Sequence, residues 1–219
     1  MPSTAKSKRG GFDVVAPFYD ACVSLIFGDR LWEIQKKAIV ALPKSNHCLI
    51  VGGGTGRILR YCIDRELAAK FTYAEPSDKM IAKTRARLNS QELASVRFVV
   101  DFDHAVSNAK FDLIIFPFVL DCFNEAAISS MISRIEGNPQ ILVVDFNHER
   151  IDDFAPSRMQ RFFIELLYIF FRLTTHIEAR RLPRILSVFK ESGLCQNSII
   201  NDFKGWIQAS TWSNIPSKP

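Results

Sequence analysis

Leu49-Ile50-Val51-Gly52-Gly53-Gly54-Thr55-Gly56-Arg57-Ile58-Leu59 decides the fold of this 219-residue chain. Three apolar residues run into four glycines within five positions. A short apolar run closed by glycine reads as a buried strand, and residues 58–69 behind it have helical composition. Glycines at such a strand-to-helix turn let the backbone bend sharply and pass close to a ligand. The free N–H groups of the helix N-terminus can then meet an anion such as a carboxylate. The same glycines also fit a plain tight turn, because a glycine-rich pattern alone is weak.

Working outward, strand-like and helix-like segments alternate. Residues 71–74 are β-prone and are punctuated by Glu75-Pro76-Ser77. Residues 78–88 read as a helix with Ser77 or Asp78 suited to its N-cap. Strands are expected at 96–100, at 111–116 before Pro117, and at 141–146, with a helix over 124–135 ending at Gly137. This alternation implies right-handed βαβ crossovers and a parallel sheet covered on both faces. Residues 14–42 read as two helices split near Gly28 and Asp29. Residues 157–192 read as helical, and 196–202 with 206–212 as a β-hairpin around Lys204-Gly205. The expected fold is α/β, a doubly wound, seven-stranded, mostly parallel sheet. It is one domain over 1–219, with a flexible arm (1–12), N-terminal helices (13–43), a cofactor-binding core (44–147), a helical insertion or lid (148–193) and a C-terminal hairpin (194–219).

Hydrophobic residues at 47% and charged residues at 23% place the chain among globular proteins and exclude a disordered one. A chain of this size needs neither disulfides nor metal to hold a core. The five cysteines are odd in number and scattered, which argues against a disulfide framework or a structural zinc site and for a reducing, cytoplasmic setting. The start of the chain is polar and basic, unlike a signal peptide. The net charge of +5 is spread out, without the dense basic stripe of a nucleic-acid binder, so no nucleic-acid partner is expected.

Glu75 ends the second strand, 23 residues after Gly52. An acid there can take both hydroxyls of a ribose, and the expected spacing is about 20 residues. It can equally serve as a favourable charge at the next helix's N-terminus. A dinucleotide fingerprint would need glycine at position 57 or 59, which hold Arg57 and Leu59; the pattern here is Gly-x-Gly-x-Gly, over Gly52, Gly54 and Gly56.

With these motifs the sequence resembles the class I S-adenosylmethionine-dependent methyltransferases over nearly its whole length. The resemblance implies that Gly52, Gly53, Gly54 and Gly56 form the cofactor loop. It makes Tyr73-Ala74-Glu75-Pro76-Ser77-Asp78-Lys79-Met80 the second motif, with Glu75 on the ribose and Pro76 and Met80 near adenine. Asp101 and Phe102, in Phe98-Val99-Val100-Asp101-Phe102, resemble the third-strand end, where an acid meets the adenine amino group. Phe111-Asp112-Leu113-Ile114-Ile115-Phe116 resembles the fourth strand, adding Phe116 to the cofactor-binding set. Val15-Ala16-Pro17-Phe18-Tyr19-Asp20 and Phe27-Gly28-Asp29-Arg30-Leu31-Trp32 are similar to the entry of the ubiquinone/menaquinone-biosynthesis C-methyltransferases, where the Tyr19-Asp20 pair belongs to a helix over the cofactor. Ile50 departs from the pattern: the family usually carries an acid there that holds the methionine amino group. The apolar-Gly-Gly-Gly appearance is shared with aminopropyltransferases, and a non-catalytic cofactor-binding module is the alternative from outside enzymes.

Methyl transfer asks the protein for proximity, alignment and desolvation, and for a base where the nucleophile must lose a proton. In a doubly wound fold, ligands sit beyond the strand C-termini. That points to residues 116–121 after the fourth strand and 145–149 after the fifth, with His148 the best-placed base and Asp121 the other candidate. His148 also reads as an exposed loop histidine, and Asp121 as a cap for the helix beginning near Asn124. No histidine pair has metal-ligand spacing, so no metal is expected. In residues 157–175, Arg158, Arg161, Glu165, Tyr168 and Arg172 share one helical face and the rest is apolar. Such a helix fits core packing, a homodimer seam, the wall of a greasy pocket, or a peripheral membrane contact. The expected activity is methyl transfer to a small apolar acceptor.

Overall fold

The computed structural model describes residues 29–107, 109–146, 183–202, 205 and 207–214. Seven strands form one sheet in the order β3-β2-β1-β4-β5-β7-β6. They are β1 (Ser45–Val51), β2 (Ala68–Ala74), β3 (Val96–Val99), β4 (Leu113–Pro117), β5 (Gln140–Phe146), β6 (Cys195–Asp202) and β7 (Ile207–Ser213). β1 to β5 run parallel, and β7 inserts antiparallel between β5 and β6. The doubly wound fold and the terminal hairpin expected from the sequence are both present.

The strands form because their apolar residues serve two faces at once. Successive side chains of a strand point to opposite sides. On β1, Cys48 and Ile50 join one core cluster while Leu49 and Val51 join the other. Leu113/Ile115 against Ile114/Phe116 and Leu142/Val144 against Ile141/Val143 divide the same way. Unbroken apolar runs are what a parallel sheet covered on both faces requires. The first face is covered by α1 (Arg30–Val40) through Leu31, Ile34, Ala38 and Ile39, and by α2 (Arg57–Asp64) through Ile58, Leu59 and Cys62. On the second face lie α5 (Phe102–Val106), α6 (Glu125–Ser133) and α7 (Ile185–Glu191), contributing Phe102, Ile128, Met131, Val188 and Phe189. α3 (Asp78–Arg85) and α4 (Ser90–Ala94) link β2 to β3.

Several boundaries differ from expectation. Ala68 and Ala69 belong to β2, not to the preceding helix, because α2 stops at Asp64 and the chain reverses at Glu66 with φ +50°. α4 and α5 were not anticipated; each is a single short turn set by its cap, Asn89 with Glu92 in a capping box and Asp101 accepting from the His104 N–H. β4 continues through Pro117, the position aligned with Val144 of β5. α6 is capped by Asn124, whose side chain accepts from the Ala127 N–H at 2.9 Å, so Asp121 is not its cap. The arm at 1–12, the first N-terminal helix and the apolar segment 157–175 lie outside the described residues.

Candidate functional site

The C-terminal ends of β1, β2, β4 and β5 meet around the glycine loop. Gly52 has φ +69°, and a Cβ built on it would lie 2.4 Å from Val119 Cγ2. A Cβ on Gly53 would lie 2.5 Å from the Tyr73 ring, and one on Gly56 2.5 Å from Thr84 Cγ2. These three glycines therefore let three neighbours close onto the backbone. Gly54 is different: a Cβ there would meet nothing within 4 Å, so the middle of the loop faces open space. Its φ of +63° is reason enough for glycine in a plain turn, and the open space beyond it leaves room for a ligand as well.

Side chains hold the loop from below. The Tyr73 hydroxyl donates to the Gly54 carbonyl at 2.9 Å, Thr84 Oγ1 donates to the same oxygen at 3.1 Å, and Arg87 Nε donates to the Thr55 carbonyl at 2.7 Å. Burial, then the Glu75 charge, pushes the Tyr73 hydroxyl well above its usual value, so it stays a neutral donor. Glu75 is 4% exposed. Its Oε2 accepts from the Gly54 N–H at 3.1 Å and its Oε1 from the Ser77 N–H at 3.1 Å. The acid thus ties the second strand's end both to the loop and to the turn that starts α3. Ser77 caps that helix by accepting from the Met80 N–H at 3.1 Å, which sets Met80 inward, 2% exposed.

The other expected cofactor residues separate into two groups. Pro76 is half-buried beside Glu75. Asp101 is exposed just past β3 and pairs with His104 Nδ1 at 2.9 Å. Burial opposes its ionisation, but hydrogen bonds from the His104 N–H and ring hold its carboxyl below the usual range. Phe102 and Phe116 instead pack into the second-face core, ring centroids 6.2 Å apart. Ile50 is fully buried, with Tyr73 and Ile115 as its lateral neighbours. Tyr19 and His148 lie outside the described residues.

Beyond β4 and β5 the site is made of side chains. Phe118 takes a left-handed conformation, φ +53°, and its N–H donates to the Val144 carbonyl at 2.7 Å. Its ring meets Phe146 at 5.4 Å between centroids. Residues 120–122 form a 3-10 turn. Asp145, 3% exposed, lies in the segment 145–149 that the sequence points to, where His148 and not Asp145 is the candidate, and it reaches across from β5. Its Oδ2 accepts from the Leu120 N–H at 3.1 Å and the Asp121 N–H at 3.3 Å, and its Oδ1 from the Phe146 N–H at 2.8 Å. Asp121 Oδ1 takes the Cys122 thiol at 3.5 Å. Desolvation pushes the Asp121 carboxyl up to about 6. Burial and then the Asp121 charge push Asp145 well above its usual value. The Cys122 thiol is raised by burial and by Asp121, Asp145 and Glu75, so it is no nucleophile at neutral pH.

Cys48 and Cys62 are buried and Cys122 and Cys195 half-buried, and all four are free. Among the described residues, no three His, Cys, Asp or Glu side chains are grouped to hold a metal ion. No described helix is long and apolar enough to cross a membrane.

Residues 49–138 match a family model described as a methyltransferase domain. The chain is 27% identical over 136 residues to the ubiquinone/menaquinone biosynthesis C-methyltransferase of Paracoccus denitrificans (strain Pd 1222). That match covers 61% of this chain and 51% of the relative, so the chain spans about half the length of the curated relative it matches. Among solved structures, it is similar to a chain of the complex between the Haloferax volcanii Trm112 methyltransferase activator and a methyltransferase, with TM-score 0.66, 14% identity, and 96% and 100% of the two chains covered. The DhpI-SAM-HEP complex matches with TM-score 0.62 and 18% identity over 91% of this chain and 93% of that one.

Proposed function

We propose, for a chain that belongs to the class I S-adenosylmethionine-dependent methyltransferases, that it moves the methyl group of S-adenosylmethionine onto a small apolar acceptor. The observation that carries this reading is the glycine loop with its buried acid: an open Gly54 between packed glycines, bonded through its N–H to a Glu75 carboxylate at the end of β2. The donor set fits the cofactor. Glu75 offers a desolvated carboxylate to the ribose hydroxyls, Gly52, Gly53, Gly54 and Gly56 offer backbone, the half-buried Pro76 offers apolar contact to the base with the buried Met80 behind the turn, and Asp101 offers a carboxylate beyond β3. When bound, the cofactor supplies a methyl group on a positively charged sulfur.

The chain's own residues supply the rest. Residues 118–122 and the end of β5 give the acceptor side an aromatic wall, Phe118 with Phe146, beside carboxyl groups. Asp121 takes the proton that an acceptor's oxygen or carbon gives up, and a carboxyl raised to about 6 is suited to that exchange near neutral pH. The match to a methyltransferase domain favours methyl over aminopropyl transfer.

Calorimetric titration with S-adenosylmethionine tests the reading. Charge-assisted hydrogen bonds contribute about 1.5–3 kcal/mol each, so Glu75→Gln should bind about tenfold more weakly or worse. Unchanged affinity in that variant overturns the role of Glu75. Preference for the decarboxylated cofactor would assign aminopropyl transfer instead. Tight binding with no labelled methyl passed to any phenol or quinol acceptor would make the chain a cofactor-binding module.

A further inference from the structure

Asp101 follows β3 at the same edge of the sheet as Glu75. The two ends are tied together, because the Glu75 N–H donates to the Val99 carbonyl at 3.0 Å. The short helix α5 behind Asp101 is fixed from several sides. Phe102 and Ala105 are buried, Arg97 Nη2 donates to the His104 and Ala105 carbonyls at 3.0 and 3.3 Å, and Arg134 donates to Asp103. His104 is thereby held with both its N–H and its ring on Asp101. The N–H donates to Oδ1 at 2.8 Å. Ring nitrogen Nδ1 lies 2.9 Å from Oδ1 and 3.0 Å from Oδ2. An ionised carboxylate only accepts, so Nδ1 carries the proton between them. Oδ1 is thus taken by the N–H and by a share of the ring proton, whereas Oδ2 has the ring share alone and keeps room to accept.

We propose that His104 is a positioning residue for the base of the cofactor: its ring sets the plane of the Asp101 carboxylate so that Oδ2 accepts from the 6-amino group of adenine. The inference rests on the reading of the chain as an S-adenosylmethionine binder with Asp101 beside the base. The side chains of His104 and Asp101 are 70% and 49% exposed, and an exposed pair contributes little to stability. The consequence of the ring is therefore orientation, not folding. An acceptor so placed selects a base that carries a donor at its 6-position and rejects one that carries an oxygen there, since two acceptors cannot bond. Asparagine at position 101 reverses that choice. It caps a helix as well as aspartate does, so its oxygen stays on the His104 N–H. Its amide nitrogen then stands where Oδ2 stood and offers a donor.

Calorimetric titration with S-adenosylhomocysteine and with S-inosylhomocysteine, whose base has a 6-oxo group in place of the 6-amino group, tests this. The wild type should bind the adenine compound about tenfold more tightly or better. Asp101→Asn should prefer the 6-oxo compound. His104→Ala keeps the backbone bond to Asp101, so its melting temperature should stay that of the wild type while its preference for adenine falls about threefold or more. A ratio of affinities unchanged in His104→Ala overturns the proposal, as does an adenine preference that survives in Asp101→Asn. Equal binding of the two compounds by the wild type fails this inference alone and leaves the cofactor and its dependence on Glu75 in place. A chain that binds neither compound fails the cofactor reading and this inference with it.

Discussion

Beyond β1 and β2, the C-terminal edge of the sheet is built from backbone: four glycines, a capped turn, and one acid that accepts from the N–H groups of Gly54 and Ser77. Beyond β4 and β5 the same edge is built from side chains: a left-handed phenylalanine, an aromatic pair and two carboxyls, Asp145 buried and Asp121 half-buried. The first arrangement suits a ligand that every member of a family shares, since backbone groups recognise what is common to it. The second suits a ligand that varies, because side chains change without changing the fold. The two regions touch where Val119 closes on Gly52. That contact makes the division testable.

The largest effect is expected from Gly52→Ala. The added Cβ must occupy a left-handed conformation, at about 1–2 kcal/mol, and push into Val119, at about 1–3 kcal/mol for overpacking. A loss of roughly 2–4 kcal/mol in denaturant unfolding is the expected outcome, together with weakened S-adenosylmethionine binding. Adding Val119→Ala removes the nearest clashing atom and should restore part of the stability, though not the backbone strain. If the second substitution restores nothing, the two regions are independent and the contact between them is incidental.

The acid pair sharpens the contrast through pH. Both carboxyls have folded-state values raised above those of the unfolded chain, where an aspartate titrates near 3.9. A raised acid stabilises the fold below its unfolded value, and that contribution is lost as pH rises through the folded value. For Asp121 the window therefore runs from about pH 4 to above pH 6. Glu92, Glu125 and Asp101 are lowered, so their contributions are lost as pH falls and act in the opposite sense. Comparison with Asp121→Asn isolates the pair. The variant should gain thermal stability relative to wild type between pH 4.5 and 7.5, by roughly 1–2 kcal/mol for a half-buried acid. Parallel pH curves for the two proteins would place the Asp121 carboxyl in water.

A smaller effect separates the loop's support from its ligand contacts. Tyr73→Phe deletes one donor to the Gly54 carbonyl and leaves the Thr84 hydroxyl, whose one proton that oxygen shares with the Met80 carbonyl. One neutral hydrogen bond contributes about 0.5–1.5 kcal/mol. S-adenosylmethionine affinity should drop only a few-fold, well short of the loss in Glu75→Gln. Equal losses in the two variants would mean that Glu75 also acts through the loop alone.

The backbone-built region was largely legible in the sequence. Glycines next to an apolar run and an acid at the right spacing are residue types whose physics admits few uses, and Ser77 was readable as a cap for the same reason. The side-chain region was less so. Asp145 in Leu142-Val143-Val144-Asp145-Phe146 looks like the polar end of a strand, because its meaning lies in N–H groups 25 residues upstream that only the folded sheet brings near. The left-handed Phe118 carries no sign in its residue type. Asp121 was readable as a candidate carboxyl, but its placement against Asp145 was not.

Helix stops show the same contrast at its smallest scale. α2 and α7 end in the same motif. In α2, the Glu66 N–H reaches the Ile63 carbonyl at 2.8 Å and the Leu67 N–H the Cys62 carbonyl at 2.9 Å. In α7, Gly193 reaches Lys190 at 3.0 Å and Leu194 reaches Phe189 at 3.2 Å. Both reversing residues have positive φ, +50° at Glu66 and +83° at Gly193. Glycine announces such a stop and glutamate conceals it, which is why the first helix was expected to run on to residue 69. A Cβ on Gly193 would touch nothing within 4 Å, so Gly193→Ala should register backbone strain alone, lowering the melting temperature by about 2–4 °C. Glu66→Gly relieves that strain and gives up only the exposed bond from Lys44, a pair of little worth. Its melting temperature should rise by roughly 1–3 °C. A fall in Glu66→Gly comparable to that in Gly193→Ala would show that the Glu66 side chain, not the backbone reversal, ends the helix.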